Sequence, residues 1–143
     1  MSHPDESVSP RGAEADSSHT PPRRVVTAGD ARAALTELVR TLDCDTDRLL
    51  ADAHLAATEL VANAHRHAGG LTGFRAHIDH RHRRLVVDVE DADDRHPVGG
   101  RLDQRDPETP GGRGWALVQI LASTSAIEAL PGGGKRIRTT YTY

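Results

Sequence analysis

Three groups of residues in this chain have types and spacings that could support chemistry. Glu59, Asn63 and His67 recur at every fourth position, so on a helix they form one row. Their neighbours Ala56, Ala57, Leu60, Val61 and Ala64 make this the least polar stretch of the sequence. A carboxylate buried in such surroundings without a partner would cost several kcal/mol, so the row calls for something polar opposite it. An amide oxygen such as that of Asn63 is a hard donor suited to Mg2+. A carboxylate one turn away, Glu59, could take a proton from a hydroxyl or orient a water. The same spacing also describes the solvated side of an amphipathic helix.

The second group is Asp91 alone. It is in phase with Leu85, Val87 and Val89, so the buried face of a strand ends in a carboxylate. A carboxylate accepts hydrogen bonds only; facing a pocket, it suits the exocyclic amine of adenine and repels the carbonyl that guanine carries at that place. Asp91 also fits an ordinary strand end that begins a turn. The third group is Gly112-Arg113-Gly114. Free N–H groups and the dipole at a helix start favour phosphate, and Arg113 could add a direct phosphate contact. Taken alone, two glycines flanking one residue equally describe a flexible turn.

The elements that would position these groups can be read from hydrophobic spacing. Val25 and Val26 suggest a short edge strand over 24–27. Asp30 is then expected to cap a helix carrying Leu35, Leu38, Val39 and Leu42. A longer helix follows from about Thr46 to Ala68, with Leu49, Ala53, Ala57, Leu60 and Ala64 as its apolar row and Gly69-Gly70 as its stop. Phe74, Ala76 and Ile78 alternate in one strand and Leu85, Val87 and Val89 in the next, with a hairpin turn at His80 to Arg83. Residues 92–111 are polar and rich in proline and read as a lid or functional loop. Gly112-Arg113-Gly114 opens a third helix with Trp115, Leu117, Val118 and Leu121; Trp115 fits either the core or the vicinity of the phosphate glycines. Two strands close the chain around Ala126, Ile127 and Leu130, and around Ile137, Thr139, Tyr141 and Tyr143, joined by Pro131 to Gly134. This order predicts an α+β domain: a two-layer sandwich with a mixed, mostly antiparallel sheet and helices on one face.

Composition narrows the function classes. The chain has 143 residues, 36% hydrophobic and 27% charged, which suits one domain with a lean aliphatic core at 24–143. Residues 1–23 hold four of the eight prolines and are expected to be a disordered tail. A formal net charge of −3 offers no basic footprint for nucleic acid. No run approaches the roughly 18 apolar residues of a membrane helix, and the N-terminus has no apolar signal region. Cys44, the single cysteine, has no internal disulfide partner. These features point to a cytoplasmic protein. A zinc site is a weaker expectation: His65 and His67 are two apart and diverge on a helix, while His77, His80 and His82 cluster without cysteines nearby.

In their order along the chain, the three groups carry a resemblance. Glu59-Leu60-Val61-Ala62-Asn63-Ala64-His65-Arg66-His67-Ala68 resembles the N-box, ELVxNAxxHA, of the GHKL ATPase superfamily with its Bergerat ATP-binding fold, and specifically of anti-sigma-factor serine/threonine kinases. Val89-Glu90-Asp91 is similar to the start of the next box and Gly111 to Val118 to the third, GGRGLxLV; the resemblance spans about 24–143. It implies ATP and Mg2+ as cofactors. Asn63 would hold Mg2+, Glu59 would be the general base toward a partner serine or threonine, and Asp91 would read adenine. Gly112, Arg113 and Gly114 would cradle phosphate, and His67 would stand among the nucleotide-binding residues. It further implies an anti-anti-sigma protein of the STAS fold as phosphate acceptor, a sigma factor as second partner, and a homodimer. No phospho-acceptor helix hairpin is present, which argues against a complete sensor histidine kinase. The second box departs from DxGxG, reading Asp91-Ala92-Asp93-Asp94-Arg95, and in the last strand Arg136 stands where a threonine is expected after Gly-Lys. Those departures support an alternative reading: a degenerate regulator of the same fold that docks its partner without catalysis.

Overall fold

The computed structural model describes residues 24–96 and 112–143. The expected tail at 1–23 and most of the expected lid, 97–111, lie outside the described residues. Among the described residues three helices and four strands follow one another as α1 (Ala28–Val39), α2 (Asp47–Ala68), β1 (Leu71–Asp79), β2 (Arg84–Asp91), α3 (Gly112–Leu121), β3 (Thr124–Ala129) and β4 (Lys135–Thr142). The strands form one sheet in the order β1-β2-β4-β3, with the helices packed on one face: the expected α+β two-layer sandwich.

Two expectations at the N-terminal end are corrected. No strand forms at 24–27. The backbone there is committed elsewhere: Val26 N–H donates to Asp30 Oδ2 at 3.1 Å, and the Val26 carbonyl accepts from His65 Nε2 at 2.9 Å. With those groups spent on helix ends, Val26 has no backbone group left for a ladder; the strand pairings among the described residues are antiparallel. Asp30 is likewise not the N-cap of α1. Thr27 is, in a capping box: Thr27 Oγ1 accepts from Asp30 N–H and Asp30 Oδ2 accepts from Thr27 N–H, each at 3.0 Å.

The apolar row of α2 turns inward as its spacing requires, burying Leu49, Ala53, Ala56, Ala57, Leu60, Val61 and Ala64. Four of those seven are alanines, so the α2 backbone can lie close to its neighbours. Gly69, at φ 73, takes the left-handed conformation that ends the helix. Two residues later Leu71 begins β1 opposite Asp91, the last residue of β2. The C-terminal end of α2, the start of β1, the end of β2 and the start of β4 are thereby gathered at one end of the sandwich. Trp115 is buried, as are Leu85, Val87, Val89, Ile137, Thr139 and Tyr141 on the helix-facing side of the sheet.

Tyr141 donates its hydroxyl to Thr139 Oγ1 at 2.9 Å inside this core. Burial pushes its phenol up to about 12; the bond to Thr139 opposes the shift and the Asp52 carboxylate adds to it. An unfolded tyrosine titrates near 10, so this contribution to stability is complete below pH ~10 and is lost as pH rises through 12. Alkaline unfolding followed by Trp115 fluorescence should show wild type losing about 2 kcal/mol more than Tyr141→Phe between pH ~9 and ~12.

Candidate functional site

The polar row of α2 meets the first turn of α3. Glu59 and Asn63 are half-buried on α2. Gly114, buried in the first turn of α3, lies directly against them. A Cβ at Gly114 would stand 2.6 Å from Glu59 Oε2, so the Glu59 carboxylate would have to shift, and 3.4 Å from Asn63 Nδ2. The Glu59 row therefore lies beside the opening of α3, whose first-turn N–H groups have no intrahelical acceptor. Asn63 Oδ1 accepts from Arg66 Nη2 at 2.9 Å on the exposed side of α2. His67 is exposed one turn beyond Asn63. Gly112 and Arg113 form the first two residues of α3. The phosphate contact expected of the Arg113 side chain lies outside the described residues.

Asp91 ends the buried face of β2, and its surroundings differ from those expected of a lone carboxylate. It is 6% exposed and stands opposite Lys135, itself 5% exposed, in the β2–β4 register. Lys135 Nζ donates to Asp91 Oδ1 at 2.9 Å and to the Asp93 carbonyl at 3.0 Å. Asp91 Oδ1 also accepts from Asp93 N–H at 2.9 Å. Lys135 is a site residue that the sequence reading missed. The signal was available: Lys135 is in phase with Ile137, Thr139 and Tyr141, so a lysine begins the buried face of a strand, where it needs an anionic partner.

The loop after Asp91 manages without the two absent glycines because its own side chains and the opposite strand hold it. Asp93 accepts from Arg95 N–H at 2.9 Å and from the Arg95 guanidinium at 3.1 Å, contacts that hold its carboxyl down to about 2. Asp94 Oδ1 accepts from Gly134 N–H at 2.6 Å. Gly134, at φ 82, packs against the Asp91 carbonyl so closely that any Cβ would collide with it. The close backbone approach that glycines after Asp91 would allow comes here from the β4 side. Asp93 and Asp94 are each engaged within this cluster.

The chemistry of the two halves is distinct. At the α2–α3 contact, a hard amide oxygen, a half-buried carboxylate and a glycine-bared helix start fit a magnesium-bound polyphosphate. At the β2–β4 end, a carboxylate is present where base recognition is expected, but one of its oxygens is held by an ammonium. Among the described residues, no group of three or more His, Cys, Asp or Glu side chains could hold a metal ion. His65 bonds the Val26 carbonyl and His82 bonds Asp79 at 2.9 Å. No helix among the described residues is long and apolar enough to cross a membrane.

No curated protein matches the chain. Residues 22–141 match the profile of the histidine kinase-like ATPase domain, which covers both halves of this site and every helix of the fold. Membership implies ATP as the ligand, commonly with Mg2+. The chain belongs to the histidine kinase-like ATPase domain family, within the GHKL superfamily.

Proposed function

We propose that this chain is an ATP-dependent serine/threonine kinase of the anti-sigma-factor type. It would phosphorylate a STAS-fold anti-anti-sigma partner, sequester a sigma factor, and act as a homodimer. The observation that carries the catalytic part is the seating of Glu59 and Asn63 against Gly114 at the start of α3. The partners rest on the resemblance of the Glu59 to Ala68 box and of Gly111 to Val118.

In this reading Asn63 Oδ1 would hold Mg2+ in place of its bond to the exposed Arg66 side chain. The first-turn N–H groups of α3 and Arg113 orient the phosphates, and His67 stands at the rim. Bound ATP-Mg2+ supplies the phosphoryl group. Glu59 would accept the proton of the attacking partner hydroxyl, a role suited to a half-buried carboxylate. Asp91 lies at the base end.

The alternative, a non-catalytic docking regulator, is favoured by one observation: Lys135 occupies an oxygen of the residue expected to read the base. Titration with ATP and Mg2+, followed by calorimetry and Trp115 fluorescence, addresses binding. Asn63→Ala is expected to weaken it at least tenfold, as is Gly114→Ala, whose methyl would displace Glu59. Transfer of phosphate from labelled ATP to the partner addresses chemistry. Glu59→Ala should lose roughly 10²–10⁴-fold in transfer while retaining nucleotide and partner binding. A Glu59→Ala protein that regulates its partner normally in every assay would leave only the docking reading.

A further inference from the structure

We infer that β3 is a self-pairing edge: two copies of this chain join antiparallel along Thr124–Ala129, about a two-fold axis at Ile127, so that their sheets become one. The inference rests on the homodimer reading above and names the surface that makes the dimer.

β3 ends the sheet order β1-β2-β4-β3, and among the described residues no strand pairs with its outer side. The register decides which backbone groups point there. Leu130 N–H donates to the Gly134 carbonyl at 3.0 Å, one step beyond the Ala129–Lys135 pair. Alternate residues of an antiparallel strand bond the same neighbour, so Glu128, Ala126 and Thr124 also turn their N–H and C=O groups to β4. Ser125, Ile127 and Ala129 turn theirs outward. A row of unpaired backbone groups along an edge is a template for another strand. β3 contains no proline or lysine to block such pairing, and its single charge is Glu128.

The occupant is a second copy because this edge is complementary to itself. With the axis at Ile127, every outward residue meets an outward residue. Ile127 pairs with Ile127 of the second copy, and Ser125 and Ala129 pair with Ala129 and Ser125 of the second copy. Each such pair exchanges two hydrogen bonds, so all of the outward groups are used. An axis at Ala126 would leave Ala129 without a partner. An axis at Glu128 would set that carboxylate against its own copy. On the helix-facing side, Ile127 is only partly buried against the core, and Ile127 of the second copy covers the remainder. On the open face, the exposed Ala126 stands opposite Glu128 of the second copy, and no charge meets its like. The axis reverses β3, so the ends carrying Asp91 and Lys135 in the two copies point in opposite directions. Both candidate nucleotide sites stay open, and ATP is expected to leave the dimer unchanged.

The test is sedimentation equilibrium of the full chain. The paired edge is short, so wild type is expected to dimerise weakly, with a dissociation constant between about 1 μM and 1 mM. Ser125→Pro removes an outward N–H while leaving the bonds to β4 in place, and is expected to be monomeric throughout that range. Ala126→Glu places two like-charge contacts across the axis, against Glu128 of the second copy, and is expected to weaken the dimer about fivefold or more. Ala126→Lys places two opposite-charge contacts there and is expected to tighten it by about as much. Within one chain Ala126 pairs with Arg138, so the glutamate suits the monomer and the lysine does not. General destabilisation therefore predicts the reverse order of the two variants. Should Ser125→Pro lack a cooperative thermal transition, the two Ala126 variants decide. A dimer unmoved by all three variants, or shifted the same way by glutamate and lysine, overturns the β3 edge and leaves the homodimer reading standing. A chain that stays monomeric at millimolar concentration overturns both.

Discussion

The buried pair of Asp91 and Lys135 fixes the end of the sandwich on which the candidate site is built. It joins the last residue of β2 to the first of β4, the two central strands of the sheet. A slip of one residue in that register would turn both charges away from each other and carry apolar side chains to the open face. Losing one partner of such a pair costs about 3–5 kcal/mol, a large part of the roughly 5–15 kcal/mol by which domains are stable. The contact of Asp94 with Gly134 and the pressing of Gly134 against the Asp91 carbonyl add a second tie at the same place. The loop after Asp91 is therefore held by charges and backbone donors, where two glycines would have held it by conformational freedom alone.

The opposite half of the site follows from small side chains. Alanines line the inward face of α2, and Gly114 stands where α3 crosses Glu59 and Asn63. Close approach leaves Glu59 and Asn63 half-buried beside the start of α3, with the Asn63 amide oxygen bonded to Arg66. The open face of the sheet solves a related problem differently. Arg138 holds Asp88 by two bonds at 2.7 and 2.8 Å, and Arg136 Nε donates to Glu90 Oε1 at 2.8 Å. These cross-strand charges lie along β2, and Asp88 and Val86 are buried on a face that no helix among the described residues covers.

Much of this was legible in the chain itself. Helical spacing located α2 to within a residue of its start, and alternation located β1 and β2 together with the hairpin at His80 to Arg83. Period and burial are coupled directly, so such elements need no tertiary information. The edge strand at 24–27 failed for the converse reason. Val25 and Val26 have the composition of a strand, but whether a strand forms depends on a partner for its backbone, and here that backbone serves Asp30 and His65. The same holds for Asp30, whose placement at the third position of α1 depends on Thr27 beginning the turn.

Sequence by itself determined the fold class, the inward rows of α2 and of β2, and the residues Glu59, Asn63 and Asp91 as chemically notable, because each of these follows from local period and residue type. Tertiary structure alone decided which groups face one another: Gly114 against Glu59 and Asn63, and Lys135 against Asp91 across 44 positions of chain. The physical reason is that a charge is defined by its partner. The spacing along one strand says that a carboxylate is buried, while the register between two strands says that an ammonium meets it, and only the second decides what a ligand finds there.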